Sequence, residues 1–371
     1  MVMDSRERTF LALNFEEPDR VPTDIWASRG FKEKLKRALG ISMEEILDIY
    51  DVDLRYIEGP AYIGPPLPAF QDGSWVDIWG VRRKRVVVEV GDGVEVYDEV
   101  VNPPLASVER VEDVELYSGW PSPDWFDYST IEEQCERVRE KGKVVVFMGD
   151  RLNRIAQLKP AIYLRGFEGI LSDMVQNPEL AAAIFSRIRD FYVRYLERIL
   201  EAAKGKLDIL LMGDDFGTQQ GPIISPRMWE DFLGKGFSDF IEIAKSYGVR
   251  VMHHTCGSVR RIIPLMLDRG LEILQSIQPE ASDMDPEGLK SEFGRRLAFH
   301  GGISVQRTLP FSTPEGVREE VKDRVKALAP GGGYILCTAH NIQADTPIEN
   351  FLALLDAYKM YGIYPLRKWN A

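Results

Sequence analysis

The feature that most constrains this chain is an alternation. From about residue 144 to the end, short β-branched runs take turns with long amphipathic stretches. Strand patterns fall at residues 144–149, 207–212, 249–253, 271–277, 297–300 and 333–337. Helical patterns fall at 178–204, 226–247, 259–269, 286–293, 314–328 and 347–361. Ser225-Pro226, Thr313-Pro314 and Thr346-Pro347 read as helix starts, since a side-chain oxygen satisfies free amide groups there and proline has none to lose. Such a repeat predicts βαβ units around a parallel sheet, an α/β fold.

In barrels and doubly wound sheets alike, the turns after the strand C-termini gather on one face, and that face carries the chemistry. Here those turns hold titratable and metal-capable residues: Asp214 and Asp215, His254-Thr255-Cys256, His300 before Gly301-Gly302, and Thr338-Ala339-His340. A His-x-Cys pair at a strand end offers an imidazole nitrogen and a thiolate sulfur to one borderline-soft cation, and zinc accepts that mixture. A third ligand falls to Cys337 or His340, and spacing does not choose between them. At least one of Asp214 and Asp215 must face the mouth of the sheet, as a metal-orienting group or a base; the plainer reading is loop capping. His300 is a candidate catalytic donor lining the pocket, or a packed histidine. Glu168 is a further metal ligand, or the ion-pair partner of Arg165. The alternation of a strand turns His253 toward the helices. Cys135, in a polar helical stretch, reads as an incidental thiol.

Composition removes several function classes. The 371 residues carry 46 Lys and Arg against 58 Asp and Glu, a net charge of −12, whereas a nucleic-acid binder needs a positive surface to displace counterions. No run approaches the roughly 18 consecutive apolar residues that cross a bilayer. The start, Met1-Val2-Met3-Asp4-Ser5-Arg6, lacks the apolar core of a signal peptide, so the expected location is the cytoplasm. Three scattered cysteines build no disulfide framework. There is no glycine-rich phosphate loop, no Ser-His-Asp order and no Cys-x-x-Cys.

The first third reads differently. Strands are expected at 75–81, 85–90 and 94–100, with Gly91-Asp92-Gly93 joining the last two as a hairpin. The basic run Arg82-Arg83-Lys84-Arg85 reads as a cationic strand edge that resists pairing with another sheet.

Several blocks together resemble the uroporphyrinogen decarboxylase superfamily. They are Arg6-Glu7-Arg8 through Pro18-Asp19-Arg20-Val21-Pro22, Asp214-Asp215-Phe216-Gly217-Thr218-Gln219, His254-Thr255-Cys256-Gly257-Ser258-Val259, Gln278-Pro279 through Met284-Asp285-Pro286, Phe299-His300-Gly301-Gly302-Ile303 and His340-Asn341-Ile342-Gln343-Ala344-Asp345-Thr346-Pro347. The resemblance spans nearly the whole chain and implies a TIM (β/α)8 barrel. On that plan residues 1–110 form a β-rich N-terminal extension packed on the barrel, residues 111–371 form the remainder of the barrel, and the whole is one structural domain.

Two chemistries occur in that superfamily. The decarboxylases grip substrate carboxylates with Arg-Gln-Ala-Gly-Arg near the N-terminus; here the region reads Ile25-Trp26-Ala27-Ser28-Arg29-Gly30, without paired arginines. The other branch comprises zinc-dependent methyltransferases with a His-x-Cys and a distant further Cys. His254 and Cys256 match it; counted back from Thr346-Pro347, the third position falls on His340, and the cysteine nearby is Cys337. Trp75-Val76-Asp77-Ile78-Trp79-Gly80 is similar to members that cleave methyl ethers. The resemblance therefore implies zinc, a corrinoid carried by a partner protein, and a small-molecule methyl donor such as a methoxylated aromatic acid. Its alternatives are methyl transfer from a corrinoid to a thiol of coenzyme M type, a metal-free decarboxylase, or a binding module without turnover. A homodimer is left open.

Overall fold

Each apolar run of the alternating region becomes a strand in the computed structural model, which describes residues 3–91, 93–149 and 154–366. Seven parallel strands form one curled sheet: β1 (Leu54–Ile57), β2 (Val144–Phe147), β3 (Ile209–Gly213), β4 (Arg250–His254), β5 (Ile273–Ile277), β6 (Ala298–Ile303) and β7 (Tyr334–Thr338), in chain order. The ring is completed by residues 22–24, which run parallel to β7 at Thr23 and Leu336. Leu336 donates to the Pro22 carbonyl (2.8 Å), Asp24 to the Leu336 carbonyl (3.0 Å), and Asp53, just before β1, to the Thr23 carbonyl (3.1 Å). The molecule is thus an α/β barrel of TIM type. Its first strand, β1, lies inside residues 1–110, so the stretch read as an extension also supplies barrel staves.

The period of two along each strand divides the core. Val144, Val146, Ile209, Leu211, Met252, Ile273, Ile335 and Cys337 fill the barrel interior, while the intervening Val145, Phe147, Leu210, Val251, Leu274 and Leu336 pack against the helices. Strands covered on both faces need such continuous apolar runs.

The N-terminal charged motif closes the bottom of the barrel. Arg8, 2% exposed, reaches Asp53, 0% exposed, at 2.6 Å and Asp19 at 2.6 Å; Arg20 meets the other oxygen of Asp53 at 2.6 Å. Arg6 and Arg139 converge on Asp208, just before β3.

Several sequence expectations need correction. The strand expected at 75–81 is only Ser74–Val76, because the Asp77 carboxylate accepts the amides of Trp79 and Val81 and turns the chain. Most of the basic run is no free edge: Arg82–Val90 is the central strand of three, Arg82 to Lys84 being paired on both sides, and only Arg85 of the run lies on the open edge. Arg83 is fully buried on Asp77 at 2.5 Å. The helix expected at 226–247 divides into Pro226–Phe232 and Gly234–Ser246, and that at 259–269 shortens to Ile263–Asp268. Ser225 and Thr313 cap their helices through the side chain, whereas Thr346 does not, since Pro347 itself takes the extended cap conformation. In the hairpin Val90 pairs with Gly93; Asp92 lies outside the described residues. Cys135 is buried within Ile131–Glu140. Among the described residues no helix is long and apolar enough to cross a membrane.

The hairpin is fastened over the C-terminal mouth. Glu95, on Gly93–Asn102, accepts from Ser28 Oγ (2.5 Å) and from the Ala344 amide (3.0 Å). Ser28 and Ala344 belong to the loops above the barrel, so the hairpin becomes a wall of the cavity beneath it.

Candidate metal centre

The pleat of β4 places Met252 and His254 inside the barrel and His253 outside. His253 stacks on Phe216 (centroids 5.2 Å apart) and meets Phe237 edge-on (5.0 Å), the packing role expected of it. His254 donates from Nδ1 to Gln275 Oε1 on β5. An amide oxygen only accepts, so Nδ1 carries the proton and the Nε2 lone pair is left for the site. Nε2 lies 3.3 Å from Cys256 Sγ and 3.3 Å from Asp215 Oδ1. Gly257, at φ +78°, then turns the chain so tightly that a Cβ would fall 2.5 Å from the Thr218 carbonyl. Only glycine fits that turn.

His340, on the loop after β7, completes a triad. His254, Cys256 and His340 each bring one ligand atom within 4.8 Å of the others, and the two imidazole rings meet edge-on at 5.6 Å. Trp26 stacks on His254 at 5.7 Å and 25°. Burial, with the neighbouring His254, drives the His340 pKa down to about 4, and burial also lowers that of His254. Burial thus favours the neutral form of each ring, the form a metal ligand takes. Burial pushes the Cys256 thiol up, helped by the Asp215 carboxylate; a bound cation would reverse that cost and hold the thiolate. Two neutral imidazoles and one thiol, with an outer amide orienting the first, fit zinc.

The paired aspartates have separate tasks. Asp214 accepts three amides at the start of Leu158–Arg165, those of Gln157 (2.6 Å), Leu158 (3.0 Å) and Lys159 (2.7 Å). Burial outweighs these bonds and pushes its pKa up to about 6. It is a helix clamp, and not the cap of its own loop. Asp215 faces the triad: it accepts the Cys256 amide at 3.3 Å and takes Lys159 Nζ at 2.7 Å. Burial opposes its ionisation, but a cationic His254 ring, when Nε2 is protonated, and Lys159 prevail and hold its carboxyl well below the usual carboxylate range.

The remaining sequence candidates stand apart from this triad. His300 is fully buried, with Nε2 2.8 Å from Asp24, and shares a second interior group with Asp24 and Cys337. The structure thus puts His340, and not Cys337, beside His254 and Cys256: in β7 the pleat sends Cys337 into the barrel core, while the loop above carries His340 to the mouth. Glu168 is exposed on Phe167–Gln176, and Arg165 pairs with Asp173 at 2.7 Å instead.

Sequence reasoning passed over Asp24, Trp26, Tyr56, Lys159 and Gln275. Trp26 Nε1 donates to Tyr56 Oη (2.7 Å), which donates to Asp24 (2.5 Å), the acceptor shared with His300. The signal for Gln275 was present: a polar residue inside the run Ile273-Leu274-Gln275-Ser276-Ile277 has to face something polar. The others come from the N-terminal segment, the short strand β1 and a helix start, where no local pattern marks them. His254 and His340 of the triad line a cavity of about 350 Å³ whose walls include Trp26, Trp79, Tyr97, Tyr163 and Tyr192 together with Arg154 and Lys159.

Residues 92–361 match the uroporphyrinogen decarboxylase (URO-D) family, and the chain belongs to it. It is 23% identical to a uroporphyrinogen decarboxylase of Coxiella burnetii over 199 residues, covering 51% of this chain and 50% of that one. The chain therefore spans about half the length of that relative. It is 29% identical over 230 residues to the methylcobamide:CoM methyltransferase MtaA of Methanosarcina barkeri, covering 62% of each. It is 24% identical over 239 residues to the methylated-thiol–coenzyme M methyltransferase of Methanosarcina mazei, covering 60% of each. A solved methyltransferase structure from Methanosarcina mazei superposes with TM-score 0.68 at 17% identity, covering 97% of this chain and 99% of that one. The fold is shared along its length.

Proposed function

We propose that this protein is a zinc-dependent methyltransferase that moves a methyl group between a small O-methyl donor, a methoxylated aromatic acid, and the cobalt of a corrinoid carried by a partner protein. The observation that carries the reading is the meeting of His254, Cys256 and His340 beside an aromatic cavity that the two histidines line. His254, Cys256 and His340 would hold zinc, which when bound supplies a Lewis acid for the donor's oxygen. The chain does the rest by binding and orientation. Trp26, Trp79 and Tyr97 give the cavity an aromatic lining that suits an aromatic ring and keeps water from it. Arg154 and Lys159 give the cavity cationic groups suited to a carboxylate. Asp215 joins Lys159 to His254 and so couples the donor-binding wall to the metal-binding triad. The region 25–30, without paired arginines, does not suit a polycarboxylate porphyrinogen.

A second reading, methyl transfer from a corrinoid to a small thiol, is supported by the likeness to the methylcobamide:CoM methyltransferase. It uses the same three residues. Elemental analysis of protein purified without chelator tests the shared premise: about one zinc per chain, lost in Cys256→Ala and His340→Ala and kept in Cys337→Ala. Supplying a reduced corrinoid protein with methoxylated aromatic acids, and a methylated one with thiols, then separates the two readings. Zinc-free wild type overturns both.

A further inference from the structure

The hairpin that walls the cavity has an open edge. Of the strand Arg82–Val90, Ser74–Val76 pairs with Arg82 to Lys84 alone, so among the described residues the stretch from Arg85 to Val90 is bonded on one side. The direction of its backbone groups follows from the adjoining strand. Ser74 and Val76 spend their carbonyl and amide on Phe70 and Pro68, which leaves Trp75 to bond Arg83, its register partner. Alternate residues of a strand point their amides and carbonyls the same way. Arg85, Val87 and Glu89 therefore present theirs to the open edge.

That edge is guarded only by the charges at its two ends, Arg85 and Glu89. No proline or inward charge interrupts it, and Val86, Val87 and Val88 are 40%, 61% and 41% exposed. Natural proteins rarely leave such an edge uncovered. Its sequence, Arg85-Val86-Val87-Val88-Glu89, is charge-complementary to itself when read backwards. An antiparallel copy centred on Val87 sets Arg85 opposite Glu89 at both ends, Val86 opposite Val88, and Val87 opposite itself. In that register the residues whose backbone groups face outward meet one another. Sliding the copies one pairing step either way sets Arg85 or Glu89 against Val87 and removes both ion pairs. A parallel copy sets arginine against arginine. Arg85 keeps one contact within its own chain, Nε to Asp98 at 3.3 Å, and Glu89 has no ion-pair partner among the described residues.

We propose that two copies of this chain associate through this edge, antiparallel about a two-fold axis at Val87, so that their three-stranded sheets become one. The association would brace the strand that carries Tyr97 into the cavity. The proposal stands whatever methyl donor the barrel takes.

Sedimentation velocity on the full chain at micromolar concentration provides the test. The wild type is expected at twice the single-chain mass. V87P removes only an amide that points to the open edge, and is expected to halve the mass while circular dichroism stays unchanged. R85E and E89R place like charges opposite each other and are each expected at the single-chain mass. Their equimolar mixture restores both ion pairs and returns to the doubled mass. If V87P misfolds, the charge variants decide alone. A wild type at the single-chain mass, or a dimer that R85E and E89R leave intact, overturns the proposal.

Discussion

Gln275 on β5 holds the Nδ1 edge of His254 on β4 through its side-chain oxygen. The bond fixes both the tautomer and the tilt of the ring, and such outer partners typically contribute about 10–100-fold to metal affinity. Gln275→Leu should weaken zinc binding by that order in a chelator competition, while Gln275→Glu, which keeps the acceptor, should retain it. Equal affinity in Gln275→Leu and wild type would show that the bond does not orient the ligand.

Asp214 acts one step away from the triad, by clamping the helix that carries Lys159. Asp214→Ala strips three amides of their acceptor, at a cost of about 1–2 kcal/mol for a lost helix cap. The expected phenotype is full zinc content with a raised KM for the donor, because Lys159 and not the metal ligands loses its support. Loss of zinc in this variant would place Asp214 with the metal instead.

Asp53 is fully buried between Arg8 and Arg20. Its removal leaves Arg8 with Asp19 and Arg20 with Asp51, so the cost is that of lost charge-assisted hydrogen bonds, about 1.5–3 kcal/mol. Asp53→Ala should lower the urea midpoint accordingly without changing the zinc stoichiometry of the folded fraction. A midpoint within experimental error of wild type would refute the clamp role of the N-terminal motif.

His253 is pressed between Phe216 and Phe237, and burial, with the adjacent His254, drives its pKa down to about 3 from an ordinary 6.5. The unfolded chain binds this proton more readily than the folded one between those two values, so stability falls as pH drops through that window. The gap corresponds to a few kcal/mol at about 1.4 kcal/mol per pH unit. His253→Phe should flatten the dependence of the denaturation midpoint on pH below 6.5 relative to wild type. Parallel profiles for the two proteins would assign the acid sensitivity elsewhere.

Much of this was legible residue by residue. The runs that became β2 through β7 announced themselves by composition, and the helices Pro286–Phe293 and Pro314–Leu328 carry their own caps and proline starts. His254 and Cys256 were visible as a pair because two residues of one turn stay together however the chain folds. Harder to read were β1, only four residues long, and residues 22–24, which close the ring through bonds to Leu336 and Asp53 and have no strand signature of their own. The basic run was misread because Arg83 within it is buried on Asp77, whose turn also ends the preceding strand, and because that strand pairs with Arg82 to Lys84.

By itself, then, the sequence determined the α/β alternation, the gathering of polar turns at one end of the sheet, and the inward side of β4, since hydrophobic period, capping and pleat are local properties. Tertiary structure alone decided that His340 joins His254 and Cys256 while Cys337 lies with Asp24 and His300. It also decided that of two adjacent aspartates one clamps a helix and the other faces the triad. Those choices depend on the curvature of a closed sheet and on where a loop after β7 returns over its mouth, and distances across a barrel are set by all of its staves at once.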